Sequence, residues 1–300
     1  MPPKSEVFQR PRLDRQSFPW DRFERVCREG LSAVRPLRSR DLEDAYGWNF
    51  GPAAPPSYWA YGRMRALLAI EETLALPGET LVELAAGDAS LCAVAAEAGR
   101  KVVANDLRAE LLAQQVRNYG NHEDIRVVGG NLFDLDPEVV GRFDVLVACE
   151  VVEHVAHTVD FLAQCRRFLK PGGHALITTP NGEFFRNRLP TWADIDDFKA
   201  LEANQFKPDA DGHLFLLTPA EMAALGRRAG FELHRLTVWG SPFLTGNAGF
   251  GRFSSRAFAP LWNLGERCVQ RLPSTLRSRL CTAISVVYRN PVGSVSAGGR

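Results

Sequence analysis

The chain has 300 residues, of which 45% are hydrophobic, 24% charged and 10% aromatic, ordinary globular values that exclude a collagen-like or wholly disordered protein. Its formal charge of +1 hides an asymmetry: residues 1–40 carry ten Lys/Arg against five Asp/Glu, residues 251–300 carry eight Arg against Glu266 alone, and the stretch between them holds 18 basic and 29 acidic side chains. An acidic body with basic ends is a poor match to a dedicated nucleic-acid binder, while the ends suit phosphate or an anionic membrane surface, or are simply solvated arginines on terminal helices.

Residues 1–56 are rich in Arg, Pro and aromatic side chains and end in Gly51-Pro-Ala-Ala-Pro-Pro56, which cannot be regular structure and marks a boundary. This segment reads as an N-terminal helical or irregular extension. From 57 to 290 the chain alternates. A helix over about 58–75 precedes an apolar strand at 80–85. A helix at 90–99, a strand at 101–105, a helix at 107–118 and a strand at 125–129 follow. A fourth strand at 143–148, a helix over roughly 157–169 and a fifth strand at 174–179 complete the run. The strands are short, β-branched and apolar on both faces, as a parallel sheet covered on both sides requires. Strand–helix alternation at this spacing gives an α/β, doubly wound sheet. Further on, Thr218-Pro-Ala-Glu221 opens a helix with a Thr cap, Pro at the first position and Glu at the third. Strands are expected at 231–239 and 283–289, separated by a helical insert at 240–280 of the length that usually serves as a lid or docking element. Residues 291–300 read as a disordered tail.

Cys27, Cys92, Cys149, Cys165, Cys268 and Cys281 form no Cys-x-x-Cys pair and no zinc-ligand spacing, the pattern of free thiols in a reducing compartment. The N-terminus is too polar for a signal peptide, and no run of about 18 apolar residues exists to span a bilayer. The expected location is the cytoplasm, with peripheral contact to an anionic membrane through the basic C-terminal segment.

The first strand runs into Glu83-Leu-Ala-Ala-Gly-Asp-Ala-Ser90. Small residues at Ala85, Gly87 and Ala89 let the backbone approach a ligand and turn sharply into a helix. Asp106 closes the second strand, 23 residues after Glu83, the spacing at which a carboxylate meets both hydroxyls of an adenosine ribose. The plain alternative is a small-residue corner between strand and helix. A dinucleotide loop would need glycine at 85, 87 and 90, and only Gly87 supplies it.

Val82-Glu-Leu-Ala-Ala-Gly-Asp-Ala89, Val102-Val-Ala-Asn-Asp106, Phe143-Asp-Val-Leu-Val-Ala-Cys-Glu-Val-Val-Glu-His-Val155 and Leu169-Lys-Pro-Gly-Gly-His-Ala-Leu-Ile-Thr-Thr-Pro-Asn181 stand in one order. In that order they resemble the motifs of the class I S-adenosylmethionine-dependent methyltransferases, over roughly residues 60–240. Within that class the chain is similar to the ubiquinone-biosynthesis O-methyltransferases. The resemblance implies a Rossmann-like seven-stranded sheet whose last strand is antiparallel. It also implies that Arg65, 18 residues before Glu83, holds the methionyl carboxylate, that Glu83, Ala85 and Gly87 belong to the methionine side of the site, and that Asp106 binds the ribose. Asn131 and Leu132 would edge the adenine, and Cys149 would touch the cofactor through its backbone. Alanine replaces the family's glycine at Ala85 and Ala89, which keeps open a non-catalytic, S-adenosylmethionine-binding regulatory protein.

Glu150, Glu153 and His154 follow the fourth strand. On a helical turn such positions share one face, at the strand end where open α/β sheets bind ligands. The cluster is either a metal site or an acid/base site. Ubiquinone-pathway catechol O-methyltransferases carry the same Glu-x-x-Glu-His, and small-RNA 2′-O-methyltransferases use it, with a later histidine, to bind a divalent ion; His213 matches that histidine. The implied metal set is Glu150, Glu153, His154 and His213, with Mg or another divalent ion acidifying the acceptor hydroxyl. Without metal, His154 is a general base assisted by Glu153, and the remaining alternative is an acidic helix start with no chemical role. The acceptor expected is the oxygen of a small molecule or glycan, since the acidic body offers no continuous basic groove for RNA; an RNA 2′-O-methyltransferase is the alternative enzyme reading.

Overall fold

The computed structural model describes residues 65, 68–87, 89–118, 123–205, 212–241 and 259–292. The expected N-terminal extension at 1–56, the aromatic residues from Tyr46 to Tyr61, Cys27, and the insert's Phe243, Phe250, Phe253 and Phe258 lie outside the described residues.

Seven strands form one sheet: β1 (Thr80–Leu84), β2 (Lys101–Asp106), β3 (Ile125–Gly129), β4 (Phe143–Cys149), β5 (Leu169–Pro180), β6 (Glu232–Trp239) and β7 (Ala283–Arg289), in the order β3-β2-β1-β4-β5-β7-β6. β3, β2, β1, β4 and β5 are parallel, and β7 runs antiparallel to both β5 and β6. The doubly wound Rossmann-like architecture with an antiparallel last strand is therefore the one observed. The helices are α1 (through 68–74), α2 (Ser90–Glu97), α3 (Ala109–Asn118), α4 (Pro137–Val140), α5 (Thr158–Arg167), α6 (Pro219–Arg228), α7 (Ala259–Gln270) and α8 (Ser274–Leu280).

Alternate residues of the central strands enter two separate cores. Leu81, Val145 and Val147 pack with α2 residues on one face, while Val82, Leu146 and Ala148 pack with Phe161, Leu162, Met222 and Leu225 of α5 and α6 on the other. Period-2 alternation with apolar residues on both sides is what covers a parallel sheet twice. Gly226 lets α6 lie close to β7: a Cβ there would stand 2.2 Å from the Tyr288 ring, whose Oη donates to Met222 O at 2.6 Å. At the start of α6, Thr218 Oγ1 accepts from Glu221 N at 3.2 Å, and the Glu221 carboxylate accepts in return from Thr218 N at 2.6 Å.

The insert between β6 and β7 contains α7 and α8. Glu266 of α7 is fully buried and accepts from Gly240 N and Ser241 N, which pins the helix to the end of β6. Arg277, one of the arginines that makes the insert look cationic in sequence, is buried and donates to Gln270 O at 3.1 Å, so it serves packing rather than a surface. No helix among the described residues is long and apolar enough to cross a membrane.

The strand order reverses direction between β1 and β4. Open α/β sheets bind ligands at such a switch point, outside the carboxyl ends of the strands. Here the residues leaving β1 (Ala85–Gly87) and β4 (from Cys149) flank it.

Candidate functional site

Three residues after β1 hold left-handed backbones: Ala85 (φ 51°), Gly87 (φ 51°) and Ala89 (φ 58°). Glycine adopts this region freely, whereas an L side chain there costs roughly 1–2 kcal/mol. The two alanines thus hold glycine-type positions, and the turn keeps its sharp geometry at their expense. Gly87 N donates to Asp106 Oδ2 at 3.1 Å and Arg108 N to Asp106 Oδ1 at 2.9 Å. An ionised carboxylate offers about four acceptor positions, so both oxygens keep capacity for a diol. The Asp106 side chain is 10% exposed, enough for a ligand to reach it. Glu83 is buried and accepts from Cys92 Sγ at 2.9 Å. Asn105 Nδ2 donates to Val128 O and Gly130 O and fixes the loop after β3. In that loop Asn131 is exposed and caps the 3-10 turn Leu132–Asp134 by accepting from Phe133 N. The Leu132 side chain, by contrast, is in the core.

At the end of β4, burial and then the Glu83 charge push the Cys149 thiol up to about 12, so it stays protonated at neutral pH and is no nucleophile. Glu150 comes next with a left-handed backbone (φ 57°). Its amide donates to Thr178 O, its Oε1 accepts from Thr178 Oγ1 at 2.9 Å, and its Oε2 pairs with Arg65. Val152–His154 is then a 3-10 turn.

Glu153 is fully buried. Its Oε2 accepts from Thr179 Oγ1 at 2.9 Å, while Oε1 has no hydrogen-bond partner and lies 3.8 Å from His213 Nε2. The rings of His154 and His213 are 5.0 Å apart, and Leu214 N donates to Glu153 O at 3.0 Å, holding the 213 segment against the turn. Ligating atoms of Glu153, His154 and His213 all lie within 4.8 Å of one another.

The four expected metal ligands are therefore not one group. Glu150 stands apart, because its left-handed backbone breaks the helical turn that the i, i+3, i+4 spacing assumes. Neighbouring residues of a strand point to opposite faces. Thr178 and Thr179 at the end of β5 thus draw Glu150 and Glu153 to different sides, Glu150 toward Arg65 and Glu153 toward the histidines. Sequence reasoning missed both threonines. Their only signal is a pair of hydroxyls at the carboxyl end of an otherwise apolar strand.

Burial dominates the electrostatics of the trio. It raises the Glu153 carboxyl above the usual carboxylate range against the opposing pull of His154 and Thr179. It lowers His213 to about 4, with the charges of His154 and Arg65 acting in the same direction. A carboxyl group held up, an imidazole held neutral and an unbonded buried oxygen between them form a donor set that suits a cation, whose charge would offset the cost of burying the carboxylate. The residues fit a divalent ion on these grounds.

Residues 58–236 match the family model described as a methyltransferase domain. The ubiquinone biosynthesis O-methyltransferase of Xanthomonas oryzae pv. oryzae (strain PXO99A) is 29% identical over 167 residues, covering 55% of this chain and 67% of that protein. The protein of the same name from Bradyrhizobium sp. (strain ORS 278) is 33% identical over 107 residues, covering 35% and 42%. The solved structure of Haemonchus contortus phosphoethanolamine N-methyltransferase 2 in complex with S-adenosyl-L-methionine superposes with a TM-score of 0.52 at 17% identity, over 88% of this chain and 60% of that one. That likeness speaks to the fold alone. With the family model spanning more than half of the chain and the strand order to match, the chain belongs to the methyltransferase-domain family, as an S-adenosylmethionine-dependent methyltransferase.

Proposed function

We propose that the chain transfers the methyl group of S-adenosylmethionine to a hydroxyl oxygen of a small-molecule or glycan acceptor, with Glu153, His154 and His213 activating that hydroxyl. One observation carries the reading: a fully buried carboxyl group with an unbonded oxygen 3.8 Å from His213 Nε2, at the strand end beside the switch point. Buried polar atoms without partners are rare and ask for a reason, and a group bound at the trio supplies one. The O-methyltransferase names of the relatives in Xanthomonas and Bradyrhizobium point to oxygen as acceptor.

S-adenosylmethionine supplies a methyl group activated by its sulfonium. Asp106 receives the ribose hydroxyls on its remaining acceptor positions, Arg65 holds the methionyl carboxylate, and the backbone at Ala85 and Gly87 lies along the methionine portion above Glu83. Asn131 and the backbone of Leu132 edge the adenine, and Cys149 contacts the cofactor through its main chain. Glu153, His154 and His213 would hold a divalent cation, which when bound lowers the pKa of a hydroxyl coordinated to it. Glu150 orients Arg65 and is not a ligand in this reading.

The test is turnover of S-adenosylmethionine to S-adenosylhomocysteine with catechols and sugars, with and without EDTA. The expected result is product formation that EDTA abolishes and a divalent cation restores. Undiminished turnover in EDTA that still requires His154 would assign the proton to that imidazole and remove the metal. Turnover only with RNA, at an affinity falling steeply with salt, would move the acceptor to a ribose.

A further inference from the structure

Away from the switch point, a cleft of about 470 Å³ opens beside the loop at 75–77, and its polar lining is His174, His234, Arg235 and Arg289, with no acid among the lining residues. The sheet register gathers them. In β5–β7 His174 is opposite Arg289, and β6 begins opposite the same residue with Glu232. The His174 and His234 rings stand 5.2 Å apart at 71°. β5 carries His174 in its first half and Thr178 and Thr179 at its carboxyl end, so this cleft and the proposed methyl-transfer site belong to different ends of the sheet.

Two acids pair with the arginines. Arg235 Nη2 is 3.3 Å from Glu72 Oε1, and Arg289 Nη1 is 3.9 Å from Glu232 Oε2. A guanidinium has five N–H donors, and one carboxylate engages a single edge of it, so donors remain on both. At the same end of the sheet, Asp144 is already engaged by Thr80 and Lys170. His174 is 8% exposed, and its Nδ1 is buried with no hydrogen-bond partner. Burial, reinforced by His234, Arg289 and Arg235, holds this imidazole below its ordinary value. An unsatisfied ring nitrogen among cations is costly by itself, and guanidiniums repel a metal ion. An anion with several acceptor oxygens offsets the mutual repulsion of the guanidiniums of Arg235 and Arg289 gathered in one cleft. A phosphate group, with oxygens directed tetrahedrally, can reach donors arriving from three strands, whereas a carboxylate offers its two oxygens in one plane.

We infer that this cleft is an anion site that binds a phosphate group, free or carried by a small ester, between the imidazoles of His174 and His234 and the guanidiniums of Arg235 and Arg289. The site goes beyond the methyl-transfer reading and does not depend on it.

The experiment is a titration of the full chain with inorganic phosphate, and separately with glycerol phosphate, followed through the imidazole resonances of His174 and His234 in NMR spectra. His234→Gln and Arg289→Gln are the test variants. Both side chains are exposed, so neither change removes core packing, and the unfolding temperature without phosphate checks this. Saturable shifts of both imidazoles are expected, with affinity weakened about tenfold in each variant, the effect of losing one charge-assisted hydrogen bond. A ligand that binds only the folded state also raises the unfolding temperature, so phosphate should raise it in the wild type and much less in the double variant. Tighter binding of glycerol phosphate than of inorganic phosphate would identify an ester as the occupant. Shifts that grow linearly without saturating, or an unchanged phosphate affinity in both variants, would overturn the inference.

Discussion

Gly87 donates its amide to Asp106 Oδ2 at 3.1 Å, and this bond joins the left-handed turn after β1 to the end of β2. Asp106 therefore has a structural duty as well as the binding role proposed for it. Asp106→Ala orphans the Gly87 and Arg108 amides, and a lost acceptor of this kind costs about 1–3 kcal/mol. The same change should lower S-adenosylmethionine affinity by about 100-fold, two charge-assisted hydrogen bonds being worth that much or more. Asp106→Asn keeps one acceptor oxygen and should lose about tenfold. Calorimetric titration and urea unfolding measure the two effects separately. Wild-type affinity in the alanine variant would remove Asp106 from the cofactor site.

The alanines at left-handed positions make a differential prediction. Ala85 is exposed, so Ala85→Gly relieves strain and gives up no packing. The relief of about 1–2 kcal/mol is partly offset by the roughly 0.5–1 kcal/mol of extra chain entropy that glycine loses on folding. A net gain of about 0.5–1 kcal/mol is expected in urea unfolding. Ala89 is fully buried in the core with α2. Its methyl group contributes about 0.8 kcal/mol by burial, so Ala89→Gly should be close to neutral. Equal effects at the two positions would mean that burial of the Ala89 methyl group does not separate them.

The strands were the most legible part of the sequence, because burial on both faces leaves an uninterrupted apolar signature. Ile125–Gly129 and Ala283–Arg289 occupy the expected residues. β5 is longer than expected, beginning at Leu169 rather than at His174: Lys170-Pro-Gly-Gly173 reads as a turn, and with Gly172 left-handed (φ 81°) it is the irregular stretch of β5 that takes up the register shift against β4, where Phe143 pairs with Leu169 and Val145 with His174. His213 was expected only from the family resemblance, and the structure brings it to Glu153. The separation of Glu150 from that pair was not legible. A left-handed glutamate has no compositional mark, and the deciding partners, Thr178 and Thr179, lie on another strand. The short 3-10 turns at Trp192–Asp194 and Lys199–Asn204 were also missed, having neither the length nor the periodicity that pattern reading needs.

Asp144 gives a pH prediction. Burial alone would raise its pKa, but hydrogen bonds from the side chain and amide of Thr80, from Lys170 and from the Glu79 amide outweigh it and bring the carboxyl down to about 2. Thr80 Oγ1 donates to it at 2.7 Å and accepts in turn from the Asp144 amide at 3.0 Å, which locks the starts of β1 and β4 together. A folded pKa below the unfolded value means that the unfolded chain binds more protons in that window. Stability is then full above about pH 5 and lost as pH falls toward 2. The shift corresponds to about 1–2 kcal/mol for this half-buried group once solvent screening is allowed for. Asp144→Asn should cost about that much at pH 7, and the difference from wild type should shrink steadily in unfolding measurements between pH 5 and 2. A difference that does not depend on pH would refute the linkage.

Thr178 and Thr179 assign the two glutamates of one motif to two jobs, and the jobs can be separated by measurement. Glu153→Ala removes the buried carboxyl from the histidine pair, so turnover should fall by about 100-fold or more while S-adenosylmethionine affinity stays within about twofold. Binding of Mn²⁺ or Zn²⁺, titrated without cofactor, should weaken in the same variant. Glu150→Ala takes one partner from Arg65 and from Thr178, so S-adenosylmethionine affinity should fall by about tenfold, as expected for one lost ion pair of this kind. Metal affinity should not change, because Glu150 is bonded away from His154 and His213. Were Glu150→Ala to weaken metal binding as much as Glu153→Ala does, the separation seen at the end of β5 would not hold when a cation is bound, and the wider four-residue ligand set would regain its standing.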